Sequence, residues 1–514
     1  MVNWDYRRLG SIMSRWSFES KMTLVEEHSQ RLIDPNAVGN PSVLRNMVLP
    51  EELETFTMLA IVNKEWQNHE VNRNEFSRAI NTIRSYKHPQ FVLRSGTEFG
   101  DWFIIMASAN QFDIQTNPIY RIARYLFYFS FSNDKIDMDE EFRDKFGISY
   151  KELSAPIIFI WWCLMKDSAY HFDNESANWI LQTYQKSLDL LTTTRENYIT
   201  ELNTITTNVD DYKYCFRVSY VYPFVIDNGI RYMPLPHLLI RAVTESMMHR
   251  LTEGNKALRD NIGKEVLEPY LLKIINDSSK FDEIIPEQEY SFGKQHNLRT
   301  MDVMTRIKKT IICFDSKSFS PSISLRVFSE DGYSNSIKRI SEAVEQGFKH
   351  TYRRYGTEYS YLSVDVEEDK SNIYGLIVLP ENPFVPLGKV YQKAAERLGI
   401  TLESSEYDWM CGHVGWVGLD QLEVELFQGK DFLKAITANE QKKTYDDHWL
   451  LQVDQKEELD IPDFVRDAVH EQIRYVADKM NKDGISILVN QNYLDKLQEM
   501  KELRKDKEEA HVNA

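Results

Sequence analysis

The chain has 514 residues, 42% hydrophobic, 12% aromatic and 27% charged; this composition excludes a disordered or low-complexity protein, and single hydrophobic cores stop growing at about 250–300 residues, so more than one is expected. A net charge of −17 excludes indiscriminate binding to polyanions, which needs concentrated Lys and Arg. Cys163, Cys215, Cys313 and Cys411 form no CxxC pair, and Met1 to Arg15 is polar and charged, so a reducing cytoplasm and no secretory leader are the expectation.

From about Trp4 to Thr207, apolar and aromatic residues recur at three-and-four spacing, as in Ile119 to Phe131 and Trp179 to Leu191. This predicts a mostly helical N-terminal domain over 1–208. Ala155 to Met165, around Trp161 and Trp162, is about half of the ~20 residues that a bilayer span requires. It predicts a buried helix and no membrane association. The period then shortens. Phe216 to Ile226 and Ile230 to Met233 are β-branched and aromatic runs around Asp227-Asn228-Gly229, a hairpin turn because Asn and Gly tolerate positive φ. A helix from near His237 to Leu251 comes next, so 209–253 reads as a hairpin and a linking helix.

Residues 254–440 read as an α/β domain. Ile262, Val266, Tyr270 and Ile274 recur at helical spacing, with Pro269 marking a kink or a restart. Strands are predicted near Tyr290 to Gly293, from Met301 to Ile307 and from Thr310 to Lys317. A helix from Ser336, read as its N-cap, to about Tyr352 leads to a buried strand over Ile373 to Leu379. A helix over Leu387 to Leu398, a strand over His413 to Val417, and a helix opened by Asp420 and Glu423 in a capping-box pattern complete the domain. Residues 441–514 read as a helical, charged segment whose stretch Lys496 to Glu509 is solvated.

The segment from Asp302 to Lys317 carries the chemistry. If its two strands are joined by an even-numbered turn at Lys308–Lys309, facing residues sum to 617, and Asp302 faces Asp315. Side chains alternate along a strand, so Asp302, Asp315 and Lys317 share one face. Directly opposed carboxylates repel unless a cation lies between them. Hard oxygen ligands suit magnesium or manganese better than zinc, and Lys317 could orient a water or stabilise a phosphate. The bland alternative pairs the two aspartates with Lys317 and Arg306. Basic residues that could meet nucleic acid occur at Lys308–Lys309, Lys338–Arg339 and Lys349–His350 with Arg353–Arg354. Cys411-Gly-His413 has no second ligand pair at finger-like spacing, the His237, Arg241 and His249 cluster reads as structural, and no GxxxxGK[ST] loop is present.

With these residues in place, the order of elements resembles the PD-(D/E)XK nuclease superfamily. Asp302 matches the isolated Asp of its second strand, and Asp315-Ser316-Lys317 matches the D/E-x-K triplet of its third. The stretch Gly263 to Tyr270 is similar to its Gly-containing E-x-Y helix, which nominates Glu268, with Glu265 as the alternative. Met301 stands where the family's namesake Pro would be. Gln346 matches a substrate- or water-positioning Gln, although His350 replaces the Tyr four residues on. The resemblance covers about residues 237 to 430. It implies a restriction-endonuclease-like αβββαβ core beside a large helical N-terminal domain, with Asp302, Asp315 and Glu268 holding Mg2+ or Mn2+ and Lys317 activating water. Lys308, Lys309 and Arg353 become the expected nucleic-acid contacts. The implied activity is a nuclease, expected to act on DNA in antiviral or mobile-element defence and working with a protein partner or as a homo-oligomer. The alternatives are an RNA- or tRNA-cleaving enzyme of the same fold and an inactive scaffold.

Overall fold

The computed structural model describes residues 6–33, 47–85, 118–165, 174–209, 212–213, 215–319, 330–363, 370–381, 385–429, 431–437 and 461–485. The fold is mixed α/β, largely helical, with three separate sheets among the described residues. No helix among the described residues is long and apolar enough to cross a membrane.

The first hydrophobic core joins the helices Phe18–Gln30, Pro50–Val62 and Arg73–Arg84 to Leu202, Tyr212, Tyr220 and Leu238. Beside it lies a small sheet of β1 (Thr192–Thr194), β2 (Phe224–Asp227) and β3 (Ile230–Tyr232), in that order. The β2–β3 turn has Asn228 at φ 48° and Gly229 at φ 80°, the pair of positive values that a tight hairpin turn requires. The preceding run is not one long strand, because Val218–Tyr220 forms a 3-10 turn.

The principal sheet has five strands in the order β10-β9-β8-β7-β4. They are β4 (Glu283–Pro286), β7 (Val303–Ile307), β8 (Thr310–Ser316), β9 (Ile373–Leu379) and β10 (Val414–Gly418). β4, β7 and β8 form an antiparallel meander, while β8, β9 and β10 run parallel. Every residue of β9 and β10 is buried, as expected of parallel strands covered on both faces. Between β4 and β7 the chain makes a separate two-stranded hairpin of β5 (Glu289–Phe292) and β6 (Gln295–Arg299).

One face of the sheet, with Val303, Ile312, Phe314, Leu376 and Val378, packs against Tyr120, Tyr128, Trp161 and Tyr270 from helices that precede it in the chain. Its other face packs Ile377, Leu379 and Val414 against Ile340, Val344 and Phe348 of the helix Glu330–Phe348. Met304, Ile311 and Cys313 join Tyr355 and Tyr359 in a satellite cluster on that same face.

The cores divide the chain differently from the sequence boundaries at 208, 253 and 440. Residues of Pro118–Ser130 and Tyr150–Cys163 belong to the sheet's core, and Leu202 belongs to the first. The helix Asp463–Lys482 inserts Val465, Val469, Ile473 and Val476 into the sheet's core instead of standing apart. Periodicity reports the type of an element and not which surfaces it meets. Lys496 to Glu509 lies outside the described residues. Ser336 is inside its helix and donates its hydroxyl to Gly332 O at 2.9 Å, so it is no N-cap. Asp420 and Glu423 lie in the helix Leu419–Phe427, whose N-cap is Gly418. Both are consumed by a buried ion network: Arg121 reaches Asp420 and Glu245 (2.6 Å each), Arg124 contacts Asp420 and Glu423, and Tyr270 donates to Glu423 at 2.6 Å. This network fastens the helix Pro118–Ser130 to the carboxyl ends of β9 and β10.

Candidate metal centre

The β7–β8 hairpin has the even-numbered turn that places Asp302 against Asp315. Val303 pairs with Phe314 and Ile307 with Thr310, with Lys308 at φ 56° in the turn. The register of β4 adds a carboxylate that the sequence reading missed. Pro286 pairs with Val303 and Val303 with Phe314, so Glu287, Asp302 and Asp315 are the next residues at one end of three adjacent strands, spaced about 4.8 Å apart. They form an acidic row close enough for Asp302 to raise the pKa values of both Glu287 and Asp315. The row below it, Ile285, Met304 and Cys313, lies in the satellite cluster. Alternation therefore directs the acidic row to the face covered by Lys349–Arg354.

Each carboxylate has a different environment. Asp302 Oδ2 accepts from Ser316 N–H (2.6 Å) and Ser316 Oγ–H (2.7 Å), yet burial still raises its pKa. Asp315 is 3% exposed. Burial, then the charge of Asp302, pushes its pKa up to about 7 against the opposing pull of Lys317. Lys317 Nζ lies 2.6 Å from Asp315 Oδ2, but the approach misses hydrogen-bond geometry and leaves that buried oxygen without a directed donor. The ion contact neutralises charge without saturating the oxygen. Glu287 is paired with Arg299 at 3.0 Å and is still shifted upward by burial and by Asp302.

The fourth carboxylate comes from the helix that crosses the end of β8. Lys256–Ile262 and Glu268–Asp277 are joined by a π-helical turn, Gly263–Leu267, and Pro269 occupies the first turn of the restarted α-helix. Burial, followed by Asp302, pushes Glu268 up to about 8, with Glu287 and Asp315 contributing in the same direction. Glu265 points elsewhere, to Lys135 at 3.0 Å and Asn133 at 3.2 Å, and its lowered pKa reflects the Lys135 bond. The close approach of helix and strand depends on Gly263, where a Cβ would stand 2.7 Å from Ser318 Cβ. π-turns of this kind recur at functional sites.

The remaining expected residues are dispersed. Gln346 is exposed. His350, one turn further, is buried and held neutral, its pKa lowered to about 4 by burial and by the nearby charges of Arg354 and Lys317; it marks the helix face that overlies Lys317. Lys308 and Lys309 are exposed at the opposite end of the hairpin from the carboxylates, about 20 Å away at strand rise. Arg353 lies over Phe348 at 5.3 Å and 4.0 Å from Glu406. Arg306 is engaged by Glu283 at 3.0 Å, so it does not pair with the aspartates. His237 bonds Ser29 and Glu54, and His413 stacks on Trp409.

Among the described residues, no three His, Cys, Asp or Glu side chains form a ready-made metal cluster; Asp302 is turned to Ser316 and Asp315 to Lys317. The donor chemistry nonetheless fits a hard divalent cation: carboxylate oxygens only, one of them buried without a directed donor, and carboxyl groups whose pKa values rise through burial, with the charge of Asp302 adding to the shift of Asp315, Glu268 and Glu287. No protein-family model, curated protein or solved structure matches this chain.

Proposed function

We propose that the chain is a magnesium- or manganese-dependent nuclease with a restriction-endonuclease-like core, acting on DNA in defence against foreign or mobile nucleic acid. The observation that carries this reading is the placement of Asp302 and Asp315 on facing strands with Lys317 two residues on, beside a helix bearing Glu268. The order of elements supports it: a carboxylate-bearing helix, the meander β4-β7-β8, the helix Glu330–Phe348, and β9 parallel to β8.

Asp302 and Asp315 would hold the cation, with Glu268 completing its shell. Bound there, it would polarise a phosphoryl oxygen and acidify a water. The chain's own part is orientation and charge. Ser316 fixes the rotamer of Asp302 through two hydrogen bonds, and Asp315 holds the Lys317 ammonium at the mouth of the row. Lys317 is 25% exposed, so it can meet solvent and substrate. From that position its ammonium can donate to a phosphate oxygen or to the attacking water.

The test is incubation of the purified protein with plasmid, linear duplex, single strands and tRNA, with and without magnesium, beside Lys317→Ala. Cation-dependent cleavage lost in that variant is the expected result; cleavage that survives it defeats the assignment. Cutting confined to tRNA would replace DNA with RNA as the substrate. A manganese-induced thermal shift, lost in Asp315→Ala, reads the centre independently of substrate.

A further inference from the structure

The β5–β6 hairpin has no counterpart in the layers of the fold. Its base is anchored: Tyr290 and Leu298 belong to the satellite cluster, Tyr290 donates to Glu358 at 2.9 Å, and Arg299 ties Glu287 to Glu289. Beyond that base it is free of the core. Ser291, Phe292, Gly293, Lys294, Gln295 and His296 are all exposed, and Phe292 leaves 48% of its surface in solvent. Its ring belongs to none of the hydrophobic clusters formed by the described residues.

Position and charge give the hairpin a partner. The chain enters it from Glu287 and leaves it to Asp302, two members of the acidic row, so its tip extends at most about 20 Å from the candidate centre at strand rise. Although the whole chain carries −17, residues 290–298 contain Lys294 and no acidic residue. Exposed Lys264 lies near the row, close enough for its charge to oppose the upward shifts of Glu268 and Glu287. Besides the paired Lys317 and Arg299, the acidic row thus has exposed Lys264 and, on the hairpin, Lys294 and the solvent-facing ring of Phe292 in its neighbourhood. Base faces are open to an aromatic ring when a strand is unpaired and are hidden in a duplex.

We propose that the β5–β6 hairpin is a strand-engaging arm: Phe292 stacks on an unpaired base and Lys294 contacts the backbone, within about 20 Å of the scissile phosphate. This rests on the nuclease reading and narrows its substrate to nucleic acid with unpaired nucleotides on one side of the cut. DNA and RNA share that chemistry, so both are needed as probes.

The experiment measures fluorescence anisotropy of labelled oligo-dT, oligo-U and a blunt duplex of equal length, bound by the full chain, by Phe292→Ala and by Lys294→Glu, without divalent cation. The full chain should prefer one or both single strands to the duplex. Phe292→Ala should weaken single-strand binding by about ten-fold, and Lys294→Glu should flatten its salt dependence by about one phosphate contact. The manganese-induced thermal shift, which reads the acidic row, should persist in both variants. Binding unchanged in both variants, or a full chain that favours the blunt duplex, overturns the arm while leaving the nuclease reading standing. A full chain that binds no oligonucleotide overturns both.

Discussion

Gly263→Ala tests whether the helix carrying Glu268 must approach β8 as closely as it does. The added Cβ would lie 2.7 Å from Ser318 Cβ and 2.9 Å from its Oγ, against ordinary contacts of about 3.5–4.0 Å, so helix and strand end must separate by roughly 1 Å. Overpacking of this kind costs about 1–3 kcal/mol. Alanine returns about 1 kcal/mol of helix propensity, which leaves a net loss of at most about 2 kcal/mol and a Tm lower by a few degrees. The effect on chemistry is larger, because misplacing a reacting group by about 1 Å costs on the order of 100-fold in rate. Single-turnover cleavage at saturating magnesium should fall by about that factor, and Ser318→Gly, which removes the opposing Cβ, should restore most of it. A parental rate in Gly263→Ala, or a loss that Ser318→Gly does not relieve, would show that this contact does not position the centre.

Glu268→Gln should abolish both cleavage and the manganese-induced thermal shift, while Glu265→Gln should keep both, because Glu265 is bonded to Lys135 and Asn133; equal losses in the two variants would remove the distinction. Asp315 and Glu268 hold protons up to about 7 and about 8, whereas in the unfolded chain they release them near 4. The folded state therefore binds more protons across that window, and without divalent cation stability should fall as pH rises from 5 to 8. Thermal melts should show this slope, with magnesium or Asp315→Asn reducing it; a flat profile refutes the upward shift of these two carboxyl groups. Arg124→Ala should cost about 3–5 kcal/mol in urea unfolding by leaving buried Glu423 without its paired cation and Asp420 with Arg121 alone, and Glu423→Gln should recover part of the loss.

The facing of Asp302 and Asp315 was determined by the sequence alone, because hairpin register depends on turn parity and side chains alternate with a period of two. The strand Ile373–Leu379 and the helix Leu387–Leu398 were equally legible from their apolar patterns. Glu287 was not, since Glu283–Pro286 is only four residues long, ends in proline and joins the row through a partner some twenty residues away. The choice between Glu265 and Glu268 also needed the tertiary structure. A π-turn inserts a residue and rotates the rest of the helix by about 100°, so a helical wheel loses its phase there. Asp420 and Glu423 resembled a cap locally and proved to be partners of Arg121 and Arg124, nearly 300 residues earlier. Local spacing specifies what short-range sterics and alternation control. Which charges share a buried space is decided by surfaces that meet only when the whole chain has packed.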